Sequence, residues 1–348
     1  MSLEASSEEP GIPRESLQRI DEVLRRYGWT RVSAPDPVAD SVLSDNYRVE
    51  TDAGPRFCRM HKKSRTIERI RAEYELLRWA GERGIPVVPP LVDPTGREVH
   101  RIGGVFVSVF PWIEGRTINP ATATPDNAAR LGEIHGRVTT ALVAYESDWV
   151  QVNRRLPRWE TNSSIEALSR IDDLIRYYPA PPEDQLRVQE RIRFQLERLE
   201  SKEARPLSDF DALHRQTCFG DFHERQVIFR DNGAVAAVVD WEGLCFASPT
   251  WELVRSLTVS GMLEPERLAA YVSAYARSTT SRVGEVELAV EAWWQNMLHD
   301  TWSLTTRFIQ GDRRPERFFD SEAENLRLFA DERFRTQLAA NIRSATDR

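Results

Sequence analysis

Apolar positions along the first third of the chain recur with two different periods. Leu17, Ile20, Val23 and Leu24 share one helical face, so the stretch from Pro13 to Tyr27 is predicted as a helix. Two short β-like runs follow, Ser44 to Glu50 and Arg56 to His61. The turn residues Asp52-Ala53-Gly54-Pro55 between them predict a hairpin. The helical period returns from Thr66 to Arg83, with Ile67, Ile70, Tyr74, Leu77 and then Trp79 or Ala80 facing inward. Gly84-Ile85-Pro86 and Pro89-Pro90 end it. A second hairpin is predicted across Gly103-Gly104, with the apolar run Val105 to Phe110 as its second arm.

Beyond Pro111-Trp112-Ile113-Glu114-Gly115 the pattern becomes mostly helical. Thr124 reads as an N-cap with Pro125 at the first helical position. Further helices are predicted near Ser163–Tyr177 and Glu183–Ser201, and the stretch from Glu264 to Ser344 is again helical in period. One β-rich island, Gln216 to Glu242, interrupts this half. The expected architecture is therefore α+β with two lobes. Residues 1–12 form an acidic, Ser-rich tail without an apolar core, and 13–110 a lobe with an antiparallel sheet and one long helix. Residues 111–115 form a connection, and 116–348 a larger, mostly helical lobe.

Composition narrows the function classes. A formal net charge of −7 disfavours a general nucleic-acid or anionic-membrane partner. No apolar run is long enough to span a bilayer. Cys58, Cys218 and Cys245 are widely separated and odd in number, which suits a reducing, cytoplasmic setting. His61, His100 and His214 show no zinc-ligand spacing with them. No pattern in the chain sets an oligomeric state.

The chemistry concentrates in the β-island. Cys218-Phe219-Gly220-Asp221-Phe222-His223-Glu224-Arg225-Gln226 is a loop holding one acid, and a strand follows it. After the turn Asp231-Asn232-Gly233, the apolar run Val235 to Val239 ends in Asp240-Trp241-Glu242. A carboxylate at the end of an apolar strand is costly to bury unless it is paired or binds a metal. Two acids and an amide at one edge suit a hard, oxygen-seeking cation such as Mg²⁺.

This stretch resembles the signature of the aminoglycoside phosphotransferase and choline kinase superfamily, H-G-D-x-H-x-x-N followed by a strand ending in I-D-[WF]-[DE]. The matching positions are Gly220, Asp221 and His223, Gln226 at the Asn position, and Asp240-Trp241-Glu242. Ser248-Pro249-Thr250-Trp251-Glu252-Leu253 resembles the family's G-x-P-x-x-D-L, with Glu252 in place of a structural Asp. In the first lobe, Ser44-Asp45-Asn46-Tyr47-Arg48-Val49 resembles the family's nucleotide loop. Arg59 in Phe57-Cys58-Arg59-Met60 falls where its phosphate-binding cation sits, and Glu73 falls where the acid that pairs with that cation sits. Gly84-Ile85-Pro86-Val87-Val88-Pro89, Ile113-Glu114-Gly115 and Leu131-Gly132-Glu133-Ile134-His135 also match family segments.

The resemblance implies a protein-kinase-like fold and a kinase using ATP and Mg²⁺ on a small-molecule hydroxyl acceptor. It implies Asp221 as the catalytic acid that accepts or orients the hydroxyl proton, and Gln226 and Asp240 as metal ligands with Glu242 nearby. Ser44 and Arg59 would contact phosphate, with Glu73 holding Arg59, and Val107–Trp112, including Val109, would hold adenine. His223 and His135 would organise the catalytic loop rather than move protons. The acceptor would meet the C-terminal helices, where Trp293, Trp294, Asp300 and Trp302 are candidates by stacking and hydrogen bonding, with core packing as the competing role for the tryptophans. Two departures stand out. Phe219 replaces a scaffold His, and Gln226 replaces Asn, moving the amide by about one bond length, ~1.5 Å. They motivate a second reading, a pseudokinase-like binding protein without turnover. Within the kinase reading, aminoglycosides, choline, ethanolamine, homoserine and sugars all stay open as acceptors.

Overall fold

The computed structural model describes residues 12–38, 45–62, 64–147, 150, 156–177, 182–201, 203–281 and 283–346. Ser44 and the N-terminal tail up to residue 11 lie outside them. The chain divides into two compact units. One is Met1–Gly115 together with Ala236–Val239, and the other is Arg116–Val235 together with Asp240–Arg348.

The first unit is built on a five-stranded antiparallel sheet in the order β1-β2-β3-β5-β4. Its strands are β1 (Asp36–Pro37), β2 (Asp45–Thr51), β3 (Gly54–Met60), β4 (His100–Ile102) and β5 (Val105–Pro111). Both predicted hairpins form. Thr51 pairs with Gly54 across the first turn, and Ile102 pairs with Val105 across Gly103-Gly104. Helix α1 (Arg14–Tyr27) lays Ile20, Val23, Leu24 and Tyr27 on the alternate positions Tyr47, Val49, Cys58, Met60, Val107 and Val109 of the sheet. Each large apolar side chain so buried contributes about 1.5–3 kcal/mol. Helix α2 (Ile67–Glu82) starts at Thr66, whose hydroxyl accepts from Arg69 N. Its buried stripe is Ile70, Glu73, Tyr74, Leu77 and Ala80, a helical period that includes one carboxylate.

The second unit is mostly helical. Helix α3 (Pro125–Val143) begins with a reciprocal capping box between Thr124 and Asn127. After it come α4 (Thr161–Ile175), α5 (Pro182–Leu199), α6 (Pro249–Val259), α7 (Pro265–Ser278), α8 (Val286–His299), α9 (Trp302–Phe308), α10 (Phe319–Ala330) and α11 (Glu332–Thr346). The strands of the β-island are β6 (Gln216–Cys218), β7 (Val227–Phe229), β8 (Val235–Val238) and β9 (Cys245–Ala247), with β6 antiparallel to β9; all but the first residue of β8 belongs to the first unit. Helices α3 and α7 meet backbone to backbone. A Cβ on Gly132 would lie 2.1 Å from the Tyr271 carbonyl, and one on Gly136 2.6 Å from that of Tyr275. Glycine at both positions, one turn apart, is what permits the approach. It brings His135, between them, against the aromatic rings of α7.

Candidate active site

In the first unit, β3 carries Arg59 between its register partners Asn46 and Ser108. Arg59 Nη1 donates to Glu73 Oε1 at 3.3 Å, and Arg65 donates to the other oxygen of the same carboxylate. The Glu73 side chain is only 5% exposed. A carboxylate so placed is destabilising without partners, and two guanidinium groups offset that cost. Its neighbour Tyr74 fixes the helix to the sheet. Tyr74 OH donates to Ser108 Oγ at 2.6 Å and lies 3.0 Å from His61 Nε2, which is 3.2 Å from Ser108 Oγ. Burial, and then the charges of Arg59 and Arg65, push the His61 pKa down to about 3, so this triad is neutral at physiological pH.

The structure thus brings Arg59 and Glu73 together and adds Arg65. Val109 has another place. Its side chain is fully buried in the core under α1, and its carbonyl accepts from Leu91 N at 2.7 Å. The strand alternation that makes its neighbours Ser108 and Phe110 face the other way turns Val109 to the core.

In the second unit, the loop between β6 and β7 holds Asp221, and several independent contacts position it. Gly220 N donates to the Glu252 carboxylate of α6. Glu252 is almost fully buried, with its second oxygen 3.7 Å from His135 Nε2. His135 Nδ1 lies 2.8 Å from Tyr271 OH, which also meets Ser256 Oγ at 2.7 Å. The ring of Phe222 stacks on His135 with centroids 4.2 Å apart. Phe219 packs edge-on against Phe222 at 5.6 Å and Trp241 at 5.0 Å. At this position packing does the scaffolding that hydrogen bonding by a histidine would otherwise do. Gly220 has φ +85°, and a Cβ there would lie 2.1 Å from the Gly243 carbonyl. The loop carrying Asp221 and the turn carrying Asp240, Trp241 and Glu242 are therefore in backbone contact.

Asp240 follows β8 in a left-handed conformation, φ 62° and ψ 53°, which costs a non-glycine residue of order 1 kcal/mol. That conformation turns its carboxylate toward Gln226. The Gln226 amide nitrogen lies 3.4 Å from Asp240 Oδ2 and 3.1 Å from His223 Nε2. A half-turn of the amide presents its oxygen to the same place, beside the carboxylate. An amide oxygen and a carboxylate are the hard oxygen donors that Mg²⁺ takes, so these two residues fit such an ion. The partly buried Glu242 lies in the middle of the short helical turn Trp241–Gly243 that follows.

Asp221 itself is 42% exposed. Its partner is Arg255 of α6, whose guanidinium donates to Asp221 Oδ1, and His223 Nε2 lies 4.0 Å away. Neither Arg255 nor Arg65 was singled out by sequence reasoning. The available signal was that Arg255 is the one charged side chain other than Glu252 in a helix that buries almost every other position. Trp293 is buried on α8 against Trp251, ring centroids 5.8 Å apart, and the Arg255 guanidinium lies 6.0 Å from its ring centre. Trp293 therefore joins the Asp221 neighbourhood through Arg255. Trp294 packs in the core of the same helix, under the guanidinium of Arg335. Asp300 sits past the end of α8, where Oδ1 accepts from Trp302 N at 2.8 Å and its carbonyl accepts from Gln195. It starts α9 rather than meeting Asp221, and Trp302 beside it is 39% exposed.

The model of a phosphotransferase enzyme family, APH, matches residues 36–286. A homoserine kinase of Polaromonas naphthalenivorans is 30% identical over 121 residues, covering 35% of this chain and 37% of that protein. A homoserine kinase of Methylobacillus flagellatus is 23% identical over 159 residues, covering 45% of this chain and 48% of the relative. The chain thus spans less than half the length of these curated relatives. Among solved structures, a spectinomycin phosphotransferase in complex with ADP and spectinomycin superimposes with a TM-score of 0.59 at 12% identity, covering 94% of this chain and 98% of that one. At such identity the likeness establishes the fold, an α+β protein-kinase-like fold.

Proposed function

The chain belongs to the APH phosphotransferase enzyme family, and on that premise we propose that it transfers the γ-phosphoryl group of ATP to a hydroxyl of a small-molecule acceptor. The observation that carries this reading is the loop itself. Asp221 is partly exposed on a backbone pinned by Glu252 and Gly243, and His223 stands between it and the Gln226–Asp240 pair.

Asp221 accepts or orients the proton of the acceptor hydroxyl. The hydroxyl oxygen forms a bond to the γ-phosphorus as the bond from that phosphorus to the β–γ bridging oxygen breaks, and ADP leaves. Gln226 and Asp240 would hold Mg²⁺, with Glu242 adjacent, and the chemistry supplied there would be neutralisation of phosphate charge. Arg59 grips phosphate oxygens with a guanidinium fork, and Glu73 sets its direction. Ser44 belongs to the proposed phosphate loop. Rate enhancement in this scheme comes from positioning and preorganised charge rather than covalent chemistry.

The test is acceptor-stimulated ADP release by the purified chain, with and without Mg²⁺. The expected result is turnover that needs the metal and vanishes in Asp221→Asn. The second reading, a binding protein without turnover, is favoured by Gln226 at the metal position. ATP binding with no phosphorylated product for any acceptor would establish that reading instead.

A further inference from the structure

Two buried hydrogen-bond donors stand unmet, one on the arginine that pairs with Asp221 and one on the tryptophan whose ring that arginine overlies. Arg255 Nη2 is spent on the Asp221 carboxylate, while Arg255 Nη1 is buried with no partner among the described residues. Trp293 Nε1 is likewise buried without a partner, on a side chain 7% exposed. The two come from different helices, α6 and α8, and the guanidinium lies 6.0 Å from the indole centre. A buried donor without an acceptor costs about 1–3 kcal/mol, so two together mark a place where a ligand completes the hydrogen bonding.

Both groups only donate, and one is a permanent cation. A ligand that satisfies them brings acceptor oxygens, preferably carrying negative charge. An ammonium there would face the guanidinium instead. The candidate acids for a polycation pocket here, Glu291 and Asp300, are already engaged. Glu291 accepts from Gln295 and pairs with Arg335 at 3.1 Å, and Asp300 starts α9. We propose that the acceptor is a hydroxy acid, whose carboxylate binds Arg255 Nη1 and Trp293 Nε1 while its hydroxyl meets Asp221. This rests on the kinase reading above and names the acceptor class within it. One guanidinium serves both groups, so the carboxylate lies within a few bonds of the hydroxyl that reacts. Arg255 is then the specificity-determining residue. It also neutralises Asp221 in the absence of acceptor, which keeps the anionic ligand from being repelled by the catalytic acid.

The test uses hydroxy acids of three to six carbons, each matched with its primary amide and with the corresponding amino alcohol. Two readouts are taken, ADP release by the wild-type chain and thermal shift of the catalytically disabled Asp221→Asn protein. The expected result is a kcat/KM at least tenfold higher for a hydroxy acid than for its amide. In Arg255→Met that ratio collapses toward one, and Arg255→Lys restores part of it, while KM for ATP stays within about threefold in both variants. Turnover confined to amides, amino alcohols or other cations would overturn the inference and leave the kinase reading standing. A thermal shift with hydroxy acids but no turnover would sink the kinase reading and keep the anion site. Absence of both responses to every hydroxy acid would overturn the inference.

Discussion

Each unit sets a guanidinium against a carboxylate, and the two pairs are built in opposite senses. In the first unit the acid is the buried member. Glu73 is almost inaccessible on α2, and two arginines converge on it. In the second unit the acid is the more accessible member. Asp221 stands partly in solvent, and Arg255 behind it is 17% exposed. In the first unit the buried Glu73 acts as scaffold for Arg59, whereas in the second the accessible Asp221 and the remaining nitrogen of the more buried Arg255 are both open to the proposed acceptor. A single kind of ion pair can therefore hold out a cation in one place and an anion in another, depending on which half is buried.

The comparison can be broken from either side. The largest effect is expected at Asp221. Asp221→Asn keeps the shape and should lower kcat by about 10²–10⁴, read by steady-state ADP release, with a smaller loss of stability than Glu73→Ala because Asp221 is the partly solvated member of its pair. Loss of stability without loss of rate would make Asp221 a structural residue. Glu73→Ala should act the other way. It leaves two nearly buried cations without their shared partner, so unfolding stability should fall by about 3 kcal/mol in a denaturant titration, with a raised KM for ATP. Gly220→Ala tests the backbone contact that carries Asp221. Both the positive φ and the overlap with the Gly243 carbonyl oppose it, and a cost of about 2 kcal/mol with reduced activity is expected.

The effect that is smallest at neutral pH, and grows only as the pH falls, is the pH dependence of the first unit. His61 titrates near 3 when folded and near 6.5 when unfolded, so between those values the unfolded chain binds the extra proton. Stability is therefore full above about pH 6.5 and falls as the pH drops, by at most about 1.4 kcal/mol per unit from this group. His100 and His299 are also shifted downward, mainly by burial, and add in the same direction. A His61→Asn variant should show a shallower acid slope in equilibrium unfolding. An unchanged slope would mean that His61 is not buried neutral.

Much of the first unit was legible in the sequence because its determinants are local. The Asp52–Pro55 turn, the Gly103-Gly104 turn and the start of the helix at Thr66 each depend on a few neighbouring residues, and each appears where the pattern put it. The strand-end acid Asp240 was legible for a different reason, since an apolar run ending in a carboxylate is costly without a purpose. What was hidden depends on tertiary placement. Val109 sits in a run of apolar residues whose two faces differ only once the sheet and α1 are assembled. The partner of Asp221 lies 34 residues away, and no local rule pairs them. The antiparallel match of Cys218 with Cys245 is likewise a consequence of the Gly220–Gly243 contact rather than of either strand's composition.

The assignment of Ala236–Val239 to the first unit has a consequence for how this gene can be recombined. Val238 N donates to the Pro86 carbonyl at 2.7 Å, so a piece of the first unit is encoded more than a hundred residues after the rest of it. A single crossover near codon 115 would transplant a first unit without its own late segment, leaving the Pro86 carbonyl to meet a strand from another lineage. Productive chimaeras between relatives therefore need two exchanges, and sequence drift at residues 236–239 should follow drift at residue 86 more closely than drift in the helices around it.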